Sequence, residues 1–330
     1  MARFRNAALG AKDKPGDGRV YEMSSSRACL CVLVLGLASA APAEPPASGF
    51  LHPLPVTARP LHERLAQAGV IAVGHVAAVQ PDRFLVATFG DLRGQPGERF
   101  FVKRSRATSP ALAADEWGIW LLRGARSPYV NVDTPREFLR VESRADATRW
   151  LVALRDLLAT AEQPEALQLV YLNWLDEDFE PLYPVAASAL LQPRAGLPPL
   201  SESQVRERAR AALDAERPRA SRRACAQIAA SHPTGALALL RGLPGSGRQA
   251  SEPEVLEIAL QAGFAAQLSS PLEHTVLRAL HHEHYEIRLS ALRAAKLLWT
   301  PAISETVQRL AAEDPNESVR TLAAQTAGES

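Results

Sequence analysis

The residues best suited to chemistry in this chain crowd into one short stretch: His274, His281, His282, Glu283 and His284. Imidazoles this close together are donors for zinc or copper. A metallopeptidase helix carries His-Glu-x-x-His, which puts both imidazoles on one face a turn apart. Counted from His282 and Glu283, the second histidine would fall at position 286, and Glu286 stands there. The expectation is therefore that His281–His284 form a polar turn between paired helices. A metal site on His274, His281, His282 and His284 is the alternative. No catalytic residue and no cofactor is expected.

Other motifs fit their chemistry by letters only. Gly245-Ser246-Gly247-Arg248-Gln249-Ala250 spells a dinucleotide fingerprint, but no strand precedes it, so it reads as a loop. Ser246 is not a nucleophile elbow, because Pro244 stands where glycine is needed. Asp176-Glu177-Asp178-Phe179-Glu180 offers calcium ligands, yet Pro181 occupies the position where an EF-hand loop needs glycine. It reads as a charged turn before a helix. Arg206, Arg208, Arg210, Arg217, Arg219, Arg222 and Arg223 are interleaved with Glu207, Asp214 and Glu216. They read as a solvated helix pair. The sharper alternative is a contact surface for an anionic protein or lipid headgroups, with Arg206, Arg210, Arg219 and Arg223 as partner-binding candidates. No Ser/His/Asp or Cys/His set has a supporting context.

The elements that must position these residues follow from texture. Arg27, the ten-residue apolar run Ala28–Leu37 and the small-x-small sites Ala38-Ser39-Ala40 and Ala41-Pro42-Ala43 read as a secretory leader. Residues 1–43 are assigned to it, with Met23 as the natural start, and the run is too short to span a bilayer. The localisation expected is periplasmic or extracellular. The leader takes 6 basic and 3 acidic residues from totals of 37 and 36, leaving 31 and 33, a net charge near −2. That charge and that compartment disfavour nucleic acid as a partner. Only Cys225 remains, so no internal disulfide forms. Residues 44–60, rich in Pro and Ala, read as a linker.

Residues 61–143 have β texture. Val70–Val76, Phe84–Phe89, Phe100–Val102, Trp117–Leu122, Tyr129–Val132 and Phe138–Val141 are short apolar runs divided by Gly and Pro, which suggests a small barrel. Ala68–Val76, the turn Asp91-Leu92-Arg93-Gly94 and Gly118–Leu122 resemble the netrin-like, oligonucleotide-binding-type barrel of secreted bacterial proteins. Netrin-like inhibitors chelate zinc through a processed N-terminal cysteine. This chain has none there, so metalloprotease inhibition is not implied.

Residues 144–330 read as helical. Trp150, Leu151, Leu154, Leu157 and Leu158 have helical spacing, and helices are expected at 164–175, 182–191, 202–215 and 219–230. A repeat then sets in: Ala226, Ala259, Ala291 and Ala323 step by 33, 32 and 32. Ala229, Ala262 and Ala294 step with them. Small residues at this spacing let helices approach closely, and such a period means stacked helix pairs. Thr234–Arg241, Leu272–Leu280 and Ala302–Ala312 are the expected outer helices, with Tyr285 and Trp299 packing between repeats. Glu286–Leu292 and Asp314–Ala324 resemble HEAT repeats, with Arg288 and Arg320 in register. Leu256 departs from that arginine, and Arg222 stands where Val255, Ile287 and Val319 are apolar. The resemblance implies a curved surface for protein contacts.

The fold class expected is α+β, a small N-terminal β-barrel followed by a HEAT-like α-solenoid. The function expected is a non-enzymatic exported scaffold that binds another protein. Ligand binding by the barrel is a further alternative.

Overall fold

The computed structural model describes residues 59–104, 112–133, 138–192, 195–243 and 253–328, all within one compact unit. The proposed leader and most of the linker lie outside the described residues, as does the loop Gly245–Ala250. No helix among the described residues is long and apolar enough to cross a membrane.

The fold is α+β, a closed five-stranded barrel followed by helices. Strands β1 (Val70–Val79), β2 (Arg83–Arg93), β3 (Arg99–Lys103), β4 (Trp117–Arg123) and β5 (Tyr129–Asn131) run in the order β1-β2-β3-β5-β4. Pairing of β1 with β4 closes the ring. All pairings are antiparallel except β3 with β5. A short β6 (Arg140–Val141) adds to β4. The expected turn at Asp91–Gly94 is displaced. Asp91–Arg93 continue β2 against β1, and the chain turns only at Gly94, whose φ of +72° is open to glycine at no steric cost.

β1 and β4 are buried on both faces, which is why they read as continuous apolar runs and not as alternation. Val70, Ala72, Trp120 and Leu122 point into the barrel with Phe84, Val86, Phe100 and Tyr129. Ile71, Val73, Ile119 and Leu121 point outward into the helical core, against helices α1 (Leu61–Gln67) and α2 (Arg144–Ala159). The β texture expected from Leu61 misses α1. This helix is only seven residues long and is held by tertiary packing of Leu61 and Leu65 and by a buried ion pair from Arg64 to Asp133.

The helical part continues with α3 (Pro164–Trp174), α4 (Leu182–Leu191), α5 (Glu202–Leu213), α6 (Arg219–Ala230), α7 (Pro233–Gly242), α8 (Pro253–Ala265), α9 (Ser269–Leu280), α10 (Tyr285–Ala295), α11 (Pro301–Glu313) and α12 (Glu317–Gly328). Their starts follow local chemistry. Proline opens α3, α7 and α11, where its missing N–H costs nothing. Ser143 caps α2, and Ser201 forms a reciprocal capping box with Gln204 at α5. One row of contacts runs α4, α6, α8, α10, α12; a second runs α5, α7, α9, α11. The small residues of the 32-residue register, Ala226, Ala259, Ala291 and Ala323, are all fully buried in the first row.

Gly235 on α7 marks a close approach between helices. A Cβ there would lie 2.1 Å from the Ala229 carbonyl oxygen of α6 and 2.7 Å from Val205 Cγ1 of α5. Gly242 meets only the end of the Leu213 side chain, at 2.3 Å. Gly235→Ala is expected to lose about 1–3 kcal/mol, because backbone must move. Gly242→Ala should be close to neutral, since Leu213 can swing away and the helix gains up to about 1 kcal/mol from removing glycine. Urea unfolding of the two variants checks the contrast.

A histidine ties α1 to the helical part. His62 Nε2–H donates to the Ala195 carbonyl (3.0 Å), Nδ1 accepts from the Tyr171 hydroxyl (2.9 Å), and Tyr171 accepts from the His62 amide (3.3 Å). One neutral tautomer satisfies all three bonds. Burial lowers the His62 pKa from its ordinary 6.5 against smaller raising effects of the Ala195 carbonyl and Glu63. Burial likewise raises the Tyr171 hydroxyl. A depressed native imidazole pKa means that the unfolded chain binds more protons in the window between the two values. Its contribution is complete above about pH 6.5 and declines as pH falls toward the native value. His62→Gln should flatten the fall in Tm measured from neutral pH down through that window.

Candidate functional site

A cleft of about 570 Å³ opens where the barrel meets the helices. That volume lies in the range of ligand sites. One wall is Arg140 on β6, then Glu142, then Asp146 and Trp150 on α2. Glu180, Pro181 and Pro184, at the start of α4, form the second. The third is one face of α6, where Arg219, Ala220, Arg223, Ala224 and Gln227 recur at helical spacing, joined by Glu254 of α8.

The floor is fixed by aromatic packing. Trp150 is 1% exposed and packs edge-on against Trp174 (6.5 Å between centroids) and Phe179 (5.7 Å). Arg149 lies over the Phe179 ring at 4.3 Å. With its ring so held, the Trp150 Nε1–H finds no hydrogen-bond acceptor. Gln227 Oε1 and Arg223 Nε are also buried and without a partner. A buried polar group left unpaired costs about 1–3 kcal/mol.

The charges on the walls are unequal. Arg219 bonds Glu254 at 3.0 Å, and Arg223 lies 3.9 Å from the same carboxylate. Arg140 pairs with Glu116 at 3.5 Å, outside the cleft. Asp146 accepts from the hydroxyl of Ser143, the N-cap of its helix, at 2.7 Å. Glu142 and Glu180 are exposed. Three arginines, Arg140, Arg219 and Arg223, thus line the cleft with four carboxylates, Glu142, Asp146, Glu180 and Glu254, so its charges nearly balance.

This geometry redistributes the arginine run. Arg219 and Arg223 come together at the cleft; Arg206 and Arg210 on α5 do not join them. Arg206 bonds Glu202 at 2.7 Å, and Arg210 is exposed. The solvated reading fails at Arg208, which is 3% exposed and grips Asp176 with two bonds of 2.9 and 3.2 Å. Arg217 adds a third bond to Asp176 at 2.6 Å. Burial would raise the Asp176 pKa, but the two arginines outweigh it and hold it below the usual range. The charged turn expected at 176–180 is thus also an anchor between α3, α5 and α6. Cys225, buried beside this anchor, has its thiol pKa raised chiefly by burial, which keeps it a thiol.

The histidine cluster is dispersed. His281 and His284 are the C-cap of α9 and the N-cap of α10, so the stretch is a turn as expected. His282 is not solvated: it is 5% exposed. Its Nδ1 accepts from the His284 amide (3.1 Å), so Nε2 carries the proton, and Nε2 has no acceptor. Burial and the His284 ring, stacked on it at 5.4 Å, lower its pKa. His281 faces Arg309, and His274 is exposed on α9. Among the described residues no three His, Cys, Asp or Glu side chains gather in a metal-holding group. Tyr285 is exposed, whereas Trp299 packs against the core.

Of the cleft residues, sequence reasoning singled out Arg219 and Arg223 for possible contacts and placed Trp150 on a helix. Glu180 was read only as part of a charged turn, and Glu142, Asp146 and Gln227 carried no signal, because these residues meet only in three dimensions. No family model matches the chain, and neither a curated protein nor a solved structure matches it.

Proposed function

We propose that the protein is an exported, non-enzymatic scaffold, a HEAT-like solenoid joined to an oligonucleotide-binding-type barrel, and that a partner protein docks in the cleft between them. The observation that carries this is the cleft itself, large enough for a ligand and lined by charged side chains from both the barrel edge and the helices.

Several features support the solenoid reading. Each helix from α5 to α9 contacts the next two along the chain, the nearest-neighbour pattern of stacked pairs. Arg288 Nη1 donates to the carbonyls six and five residues before it, His282 and Glu283, and Arg320 Nη1 repeats this with Asp314 and Pro315. The barrel reading is supported by the strand order and the parallel β3–β5 pair. Its interior is filled by Phe84, Phe100, Trp120 and Tyr129, so the barrel contributes its outer edge, Arg140 and Glu142, to binding. Export rests on the sequence of residues 1–43.

Ala220→Arg would fill the cleft from the α6 wall. Full-length protein of either type, immobilised and exposed to an envelope extract, should retain a defined partner only when Ala220 is intact. Equal retention by a variant that melts like the parent would refute docking in the cleft.

A further inference from the structure

The turn between α9 and α10 holds a titratable group that docking in the cleft does not use, the buried imidazole of His282. We infer that this turn is an acid-operated latch: with His282 neutral it holds α10, α11 and α12 to α9, and with His282 protonated it lets them open.

Three observations converge. The first is the hydrogen bond that shapes the turn. His282 Nδ1 accepts from the His284 amide at 3.1 Å. A proton on Nδ1 makes it a donor aimed at another donor, so the bond is lost and a repulsion replaces it.

The second is the surroundings, which oppose a charge. The ring is 5% exposed, and Leu243 at the end of α7, Leu256 of α8 and Ile287 of α10 enclose it. Its charged neighbours are mostly cations. Arg278 of α9 lines the same small pocket and donates to the Leu243 carbonyl. Arg288 of α10 donates to the carbonyl of His282 itself. The His284 ring stacks on it at 5.4 Å, and Arg309 of α11 meets the adjacent His281. Of the carboxylates, Asp314 is held by Arg288, and Glu283 is 60% exposed and lies 3.6 Å from His284. Burial chiefly, then His284 and Arg288, keep the imidazole below its ordinary pKa of 6.5, against the pull of Glu283.

The third is coupling to the end of the chain. Arg288 Nη1 holds the His282 and Glu283 carbonyls at 2.7 and 2.8 Å, while its Nε and Nη2 hold Asp314 between α11 and α12. One guanidinium thus ties this turn to the next. A turn that rearranges to bring an imidazolium to water gives up the two carbonyls, and with them the junction.

The direction follows from linkage. An opened turn lets His282 titrate near 6.5, whereas the closed turn holds it lower. The open form therefore binds more protons between the two values, and opening gains as pH falls through that window. One pH unit below 6.5, the opening equilibrium should rise by up to about tenfold.

Hydrogen exchange of the full-length protein, read by mass spectrometry one unit above and one unit below pH 6.5, tests the latch. Rates are divided by those of unstructured peptides at the same pH. Opening of α10–α12 should rise by up to about tenfold at the lower pH, relative to β1 and β4. His282→Asn keeps a carbonyl that can accept the His284 amide but takes up no proton, so it should abolish the rise; His282→Gln is a second variant of the same kind. His62→Gln should retain the rise, because that imidazole lies on α1. A parent whose α10–α12 opening does not change with pH, or changes no more than the barrel's, would overturn the latch whether or not the variants fold. An equal rise in a folded His282→Asn or His282→Gln would overturn it too.

Discussion

Replacing Asp133 with alanine is expected to destabilise the protein by about 3–5 kcal/mol, the cost of leaving a buried guanidinium without its counter-charge. Asp133 is fully buried, and Arg64 is 4% exposed. Arg64 meets it with two parallel bonds, Nε to Oδ1 at 2.8 Å and Nη2 to Oδ2 at 2.6 Å. The pair links α1 to the segment that follows β5, and the Asp133 amide donates to Asn131 Oδ1 at 3.1 Å. Domains are stable by only about 5–15 kcal/mol, so this loss is a large share of the total. The pair's net worth is a separate matter. Arg64→Met/Asp133→Leu should recover most of the loss, because apolar replacement removes the desolvation cost with the charge. Chemical denaturation of the single and double variants measures both.

Asp314→Ala is expected to cost a similar amount, about 3–5 kcal/mol, but with a different distribution along the chain. Arg288 bonds Asp314 through Nε (2.7 Å) and Nη2 (2.9 Å), with side chains 8% and 2% exposed. Its Nη1 holds the His282 and Glu283 carbonyls at the turn before α10. The pair therefore joins α10 to the turn between α11 and α12. In the proposed solenoid, breaking one junction releases the terminal unit first. Limited proteolysis of Asp314→Ala should remove α11 and α12 while the barrel stays protected. Uniform protection along the chain would contradict that picture.

Element type was legible wherever one period dominated. The alanine register at Ala226, Ala259, Ala291 and Ala323 marks helices whose small face is fully buried. The runs at Val70 and Trp117 read as strands because β-branched and aromatic residues filled both faces. What escaped depended on contacts distant in sequence. Helix α1 is too short to show a period and is fixed by Asp133, 69 residues away from Arg64. His282 looked like a solvated turn residue, yet the turn folds under and buries it. The arginine run looked basic in one dimension; Glu254, 35 residues beyond Arg219, pairs with it in three. The cleft could not be read from the sequence, since its walls come from β6, α2, α4, α6 and α8.

The central claim is that a partner protein occupies the cleft. It is tested most directly by in-cell photocross-linking from two positions. A photoreactive residue replacing Pro184, on the exposed rim of the cleft, should yield one discrete adduct. The same residue replacing Gln308, exposed on α11, should yield none. A discrete adduct from position 308 with none from position 184 would contradict the account.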